Sequence, residues 1–547
     1  MGAENLHFGE DSDKFAVELL KQFSFIQNKF IMANSTLKSI GATAAILLTS
    51  GTASADWGTA ENAGVLLDNS EMYDAATART SDGGMYVIWP DAITRDGYMT
   101  FNLYGQYLDP QGNKMWGDEG KLIDSHMTPS WFSYWNIQVT PEDDVVISWA
   151  DSRSQEKGEP LGEGETYEAQ VPVLYKITRS GEMLWGDEGV ALDATKYMYP
   201  VQLMPVGSTL YAKCISADDY GPMELQMLDE FGEFVWPEGK KFGGQIIASE
   251  GTDFIGVYAG SEGVEAMRYN KDMEPQWEKP AIVSDRVFGG YDLNPYTLKT
   301  DGKGGVVLSY LVALGEFTHI PLLGYVTANG ETVFCEQYVD TEDGDHVYGV
   351  FGVNTETEEI MAMWQMYMYS RVLQAQKFDF FGERMWGELG ANMAYKEEES
   401  GYSYGPIAVE PLEDNKWLIC YADEIGWAQN QLYLARVDGN GSVEWRLPMG
   451  GVGDVQNIHM YKFGNDIELI WSCMGTEYDD DWNETRYGKI MGIRTNIENV
   501  GINDISTDEA DGVEAIYNLS GMRLDKLAKG FNIVRKANGE TVKIINK

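Results

Sequence analysis

The chain has 547 residues, with 86 acidic against 40 basic side chains and a formal net charge of -46. That field repels phosphate backbones and anionic membrane, which excludes nucleic acid and favours cations, basic proteins or neutral sugars as partners. A content of 44% hydrophobic and 12% aromatic residues is that of a packed protein, which excludes wholesale disorder.

Residues 32–55 read as a secretory signal peptide. Lys38 supplies a positive n-region, residues 40–48 an apolar h-region, and Ala53, Ser54 and Ala55 a small-residue cleavage site. The apolar run is too short to span a bilayer, and no Cys follows it to carry a lipid. A signal peptide belongs at the start of a chain. Met32 is therefore expected to be the natural start, and residues 1–31 a non-native or mis-called extension. No other segment is apolar enough to cross a membrane, so the expected destination is the outer cell surface or the medium, reached through the periplasm.

From residue 56 onward one pattern recurs: a Gly, three residues, then Trp. It occurs as Gly112 and Trp116, Gly181 and Trp185, Gly232 and Trp236, Gly382 and Trp386, and Gly441 and Trp445. Gly330 and Phe334 keep the spacing, Trp277 follows Met273, and Trp57 fits the same register at the start. Between these marks lies an alternating apolar run ending on a large residue, at 85–89, 145–149, 209–214, 254–258, 306–310, 360–364, 417–421 and 467–471. Period-2 alternation and β-branched or aromatic enrichment mark these runs as strands.

Each unit then holds four short strands, and the Gly of Asp109 to Gly112 and of Asp379 to Gly382 suits the positive-φ site of a tight hairpin. Four antiparallel strands repeated without linkers predict an all-β fold, an eight-bladed β-propeller over residues 56–500. The sequence leaves the closing strand open. Trp57 stands too near the cleavage site for a full outer strand, so residues 489–495 and the stretch after them are expected to complete the last unit. Cys214, Cys335, Cys420 and Cys473 have no metal-ligand spacing and read as small buried hydrophobes.

Residues 501–511 form a polar, acidic linker, and 512–547 a small C-terminal β module. Its pattern is Tyr517-Asn518 with Gly521, then Lys529-Gly530-Phe531-Asn532-Ile533-Val534, an Asn538-Gly539 turn and Val542-Lys543-Ile544. This tail resembles the C-terminal sorting domain of type IX secretion cargo from Bacteroidetes. That resemblance implies a second partner, the secretion machinery, and passage across the outer membrane with the tail often removed.

In a four-stranded blade the connections between the second and third strands share one face with the blade-to-blade connections, while tight turns occupy the other. Binding is expected on the loop-rich face. Asp91, Asp151 and Asp423 follow the strand-two aromatic by two residues there, and Trp135, Tyr199, Tyr296, Tyr348 and Tyr404 enter the inner strands from the same side. Aromatic faces beside carboxylates suit a glycan or a basic peptide.

Asp218, Asp219, Glu262 and residues 479–481 fall in equivalent loops. The five His form no HExxH, and no GxSxG elbow is present, so no catalytic residue is assigned. The metal assignment is none and no cofactor is expected; Asp340, Asp343 and Asp345 are the one candidate for Ca2+, without an EF-hand pattern. The leading expectation is a non-catalytic binding protein for a glycan or protein ligand. A secreted polysaccharide-acting hydrolase and a structural or adhesion component are the alternatives.

Overall fold

The structure is a computed structural model that describes most of residues 57–546. Outside the described residues lie 1–56, 60–62, 70–71, 96–97, 127–134, 154–170, 193–197, 217–222, 286–296, 314–318, 339–345, 367–371, 396–403, 427–428, 479–483, 498–512, 518–522, 525–529 and 537–540. The single residues 73, 454 and 547 lie outside them as well. All the described residues belong to one compact unit, Ala53–Lys547. The expected signal peptide, residues 32–55, lies outside the described residues.

The described residues are all-β, and the ring is an eight-bladed propeller. Blade 1 runs outward through Ala76–Arg79, Met85–Arg95, Tyr98–Leu108 and Lys121–Asp124; blade 2 through Asn136–Val139, Val145–Asp151, Val171–Ile177 and Val190–Ala191. Blades 3 to 7 repeat this plan, opening with Met198–Val206, Gln245–Ala248, Thr297–Thr300, His346–Asn354 and Tyr404–Leu412. Within blades 1 to 7 every pairing is antiparallel between chain neighbours, the meander that alternating runs separated by turn residues produce. The first strand of each blade touches the first strand of the next, through Gln456–Phe463 of blade 8 and back to Ala76–Arg79. These eight strands are therefore the innermost, and the circle is complete.

Closure departs from the sequence expectation. Residues 489–495 belong to the third strand of blade 8, Glu484–Asn496, and the fourth comes from the other end of the chain. Gly64–Asp68 pairs antiparallel with that third strand, Gly64 opposite Gly492 and Asp68 opposite Lys489. Five residues suffice because several outer strands are as short or shorter, with only Val190–Ala191 in blade 2 and Lys240–Lys241 in blade 3. Blade 8 is thus built from both ends of the ring, and opening it separates strands, not merely loops.

The core lies between blades. Tyr86, Ile88 and Phe101 of blade 1 share one cluster with Val145, Ile147 and Trp149 of blade 2. The strand-two aromatics Trp89, Trp149, Trp364, Tyr421 and Trp471 are buried in these seams, where large rings remove most area from water. Cys214 and Cys420 are buried and all four cysteines are free thiols, consistent with small core hydrophobes.

The repeated Gly and Trp make the seams. Trp116 Nε1 donates to Arg179 O (3.0 Å), Trp185 to Glu230 O (3.1 Å), Trp236 to Lys271 O (2.9 Å), Trp277 to Ala328 O (2.8 Å) and Trp386 to Gly439 O (2.9 Å). Each acceptor stands two residues before the turn Gly, or before Met273, of the following blade. The ring then lies on that residue: a Cβ on Gly232 would sit 2.9 Å from Trp185 Cγ, and one on Gly330 would sit 2.5 Å from Trp277 Cδ2.

At the closing seam Arg494 takes the indole's part. It donates to Pro110 O at 3.1 Å, again two residues before the turn Gly, while its guanidinium lies 4.4 Å from the centre of the Trp57 ring. Trp57 thus lies at this seam, with an arginine making the hydrogen bond that an indole makes elsewhere.

Gly232 sits at φ 81° under Trp185, so Gly232→Ala meets both backbone strain and ring overlap. We expect a loss of about 1–3 kcal/mol. Denaturant unfolding of the variant beside Gly207→Ala, where a Cβ meets open space at φ 56°, separates the overlap from the strain.

Candidate functional site

The two ends of the blades differ in kind. At one end every third-to-fourth-strand turn closes on itself. Asp109 Oδ1 accepts from Gln111 N (2.9 Å) and Asn113 N (2.8 Å), and Asp229, Asp379, Asp438 and Asn270 repeat that pattern. The recurring Asp ahead of the turn Gly is therefore a turn-former, its side chain saturated by local backbone. Longer connections collect at the other end, such as the one from Asp151 to Val171.

Asp91, Asp151 and Asp423 all fall at that loop-rich end, each two residues beyond the buried strand-two aromatic. Their neighbours differ. Asp91 accepts from Trp89 Nε1 (2.8 Å) and Asn69 Nδ2 (3.5 Å), tying the closing strand to blade 1. Asp423 lies opposite Tyr404 in the ladder, and Tyr404 packs edge-on against Tyr421 at 5.7 Å. Burial and then the Asp423 charge push the Tyr404 hydroxyl up to about 12.

Trp135 donates to Asp74 Oδ2 (3.2 Å) and packs edge-on against Trp149. Asp74 also accepts from Asn457 of blade 8 (2.9 Å), so blades 8, 1 and 2 meet at one carboxylate where the inner strands begin. Tyr199 and Tyr348 occupy the loop-side ends of the inner strands of blades 3 and 6. Tyr296, Asp218, Asp219, residues 479–481 and the Ca2+ candidates Asp340, Asp343 and Asp345 lie outside the described residues. Glu262 sits in a tight turn of blade 4, its N–H donating to Glu265.

Asp151 belongs to a cluster that the sequence pattern did not assemble. It is fully buried, and Arg153 grips it through Nε (3.0 Å) and Nη2 (2.7 Å). The same guanidinium donates to Tyr175 Oη (3.0 Å) and Glu188 O (2.7 Å). Across the seam Asp124 ends the outer strand of blade 1, and its Oδ1 lies 2.6 Å from His126 Nδ1. His126 Nε2 is 3.3 Å from Glu188 Oε2 of blade 2.

Burial pushes Asp151 up to about 6 against the opposing pull of Arg153. Burial also disfavours the His126 cation, but Asp124 and Asp151 outweigh it and hold the imidazole above its ordinary value. The available signal was Asp124-x-His126 directly after one unit's last strand, facing Asp151-x-Arg153 at the same end of the next unit's second strand. Only the seam shows that the two meet.

No protein-family profile matches the chain, and no curated protein is similar to it in sequence. Among solved structures, a protein of unknown function from Dyadobacter fermentans is 9% identical, with a TM-score of 0.34 over 79% of this chain and 97% of that one. The BP39L lectin of Burkholderia pseudomallei is 8% identical, with a TM-score of 0.36 over 75% and 98%. The β-propeller domain of the Trilobed protease of Pyrococcus furiosus is 8% identical, with a TM-score of 0.36 over 69% and 98%. These are likenesses of outline, and the assignment of eight blades rests on the strand pairing of the chain itself.

Because Asp151 is fully buried with Arg153 as its gripping cation, Arg153→Met leaves a carboxylate without that partner. The expected cost is about 3–5 kcal/mol. Pairing it with Asp151→Leu should restore most of that loss in a denaturant double-mutant cycle; a double variant no more stable than Arg153→Met would mean the cost lies elsewhere.

Proposed function

We propose that this chain is an exported binding protein, held at the outer surface or released, that takes a glycan or a protein on the loop-rich end of the propeller. One observation carries the reading: the two ends are chemically unequal. The hairpin end is closed by turns whose polar groups satisfy one another. The other end gathers the long connections together with Asp74, Asp91, Asp423, Trp135 and Tyr404. Carboxylates beside indole and phenol rings suit hydroxyl-rich sugars or basic peptides, and the net charge of -46 selects against anionic ligands.

Residues 56–547 applied to a glycan array and a panel of basic peptides test this reading. We expect Kd values in the micromolar range, about tenfold weaker in Trp135→Ala, at a half-buried indole, and unchanged in Lys114→Ala on the hairpin end. Salt should weaken a peptide far more than a neutral glycan. Equal loss from both variants, or no binding in either panel, counts against the proposal. Release of reducing ends from a bound polysaccharide would mark a hydrolase instead.

Export through the C-terminal module belongs to the same proposal. The module forms a sheet in the order Arg523–Leu524, Val513–Tyr517, Gly530–Lys536, Thr541–Asn546. Fused to a periplasmic reporter in a host with type IX secretion, residues 512–547 should carry the reporter to the surface. Retention in the periplasm would leave the module a β appendage without a sorting role.

A further inference from the structure

One imidazole nitrogen and two carboxylate oxygens, from Asp124, His126 and Asp151, lie within 4.8 Å of one another at the seam of blades 1 and 2. We propose that this seam is a binding site for a first-row transition-metal dication of the Zn2+ or Mn2+ type, with those three side chains as ligands. It holds whether or not the ligand proposed for the loop-rich end exists.

An incomplete carboxylate points to the ion. Asp124 is 4% exposed, and its Oδ1 accepts from His126 N at 2.9 Å. Its buried Oδ2 has no hydrogen-bond partner among the described residues. A buried carboxylate oxygen left so is costly, and a native fold supplies it with water or a cation. The group faces the cluster: one of its oxygens lies within 4.8 Å of a ring nitrogen of His126 and a carboxylate oxygen of Asp151.

The donor set selects the kind of ion. Ca2+ and Mg2+ take oxygen ligands, whereas one imidazole with carboxylates suits a transition dication. The surroundings are those of a ligand shell with support behind it. Arg153 holds both carboxylate oxygens of Asp151 and is itself held by Tyr175 Oη and Glu188 O, as outer-shell partners orient ligating carboxylates. Charge agrees as well. With neutral His126, the carboxylates of Asp124, Asp151 and Glu188 exceed Arg153 by two negative charges, which a dication balances. The rival arrangement contains no metal and places an imidazolium between Asp124 and Glu188.

Residues 56–547, stripped with chelator and titrated calorimetrically with Zn2+, Mn2+ and Ca2+, separate the two arrangements. We expect one equivalent of Zn2+ or Mn2+ to bind, with Ca2+ far weaker. His126→Gln and Asp124→Asn should each weaken binding by about 100-fold or more, since loss of even an outer-shell partner costs about 10–100-fold. His126 is half-buried, so its replacement is the gentler of the two for the fold. Co2+ absorption by the unaltered chain needs no variant: bands shifted and intensified from those of the aqueous ion support coordination here. No stoichiometric uptake, preference for Ca2+, uptake unchanged in both variants, or an aqueous Co2+ spectrum overturns the proposal.

Discussion

The indole of one blade lies against the turn glycine of the next and donates its N–H to the carbonyl two residues before it, and the rest of the ring depends on that contact. A single four-stranded sheet cannot bury both faces alone, so each blade relies on its neighbours for its core. The Trp and Gly contact sets where one blade meets the next. At the seam after blade 5, Phe334 keeps the packing on Gly382 but has no N–H to donate. At blade 4, Met273 holds the left-handed turn conformation that Gly holds elsewhere, with φ 64°. The geometry is thus a register of position, carried by more than one residue type.

Closure shows the same rule under a harder constraint. Blade 8 has no third-to-fourth-strand turn, because its outer strand comes from the beginning of the ring. The donor to Pro110 O is accordingly Arg494, stacked on Trp57, with Glu468 accepting from Arg494 (2.8 Å) and paired to Arg79. A charged group is held at this seam because both arginines pair with the glutamate there, and both guanidiniums lie over the ring of Trp57. Two adjacent blades meeting face to face also explain the cluster of Asp124, His126, Asp151 and Arg153, whose members belong to different sheets.

Much of the candidate site was legible only as position. Asp91, Asp151 and Asp423 share a place in their strands, as the repeat implied, but the place does not decide the partner. Asp91 is committed to Trp89 and Asn69, Asp151 to Arg153, and Asp423 lies across the ladder from Tyr404. Which neighbour each carboxylate meets depends on residues one blade away or at the far end of the chain. Trp135 was singled out as an aromatic entering an inner strand. Its bond to Asp74 was not legible, because Asp74 lies in the preceding unit and gave no pattern of its own.

The sequence by itself determined the repeating unit: four strands, turn residues at fixed offsets and eight copies of the buried second strand. These are local matters, set by side-chain alternation and by the few residues that tolerate φ near 80°. Tertiary structure alone decided that Gly64–Asp68 closes the ring, that Arg494 stands in for an indole, and that Asp124 and Asp151 face each other across a seam. The first two depend on how far the accumulated rotation of the blades carries one end of the chain toward the other, and the third on how two adjacent sheets face each other. No window of neighbouring residues contains that information.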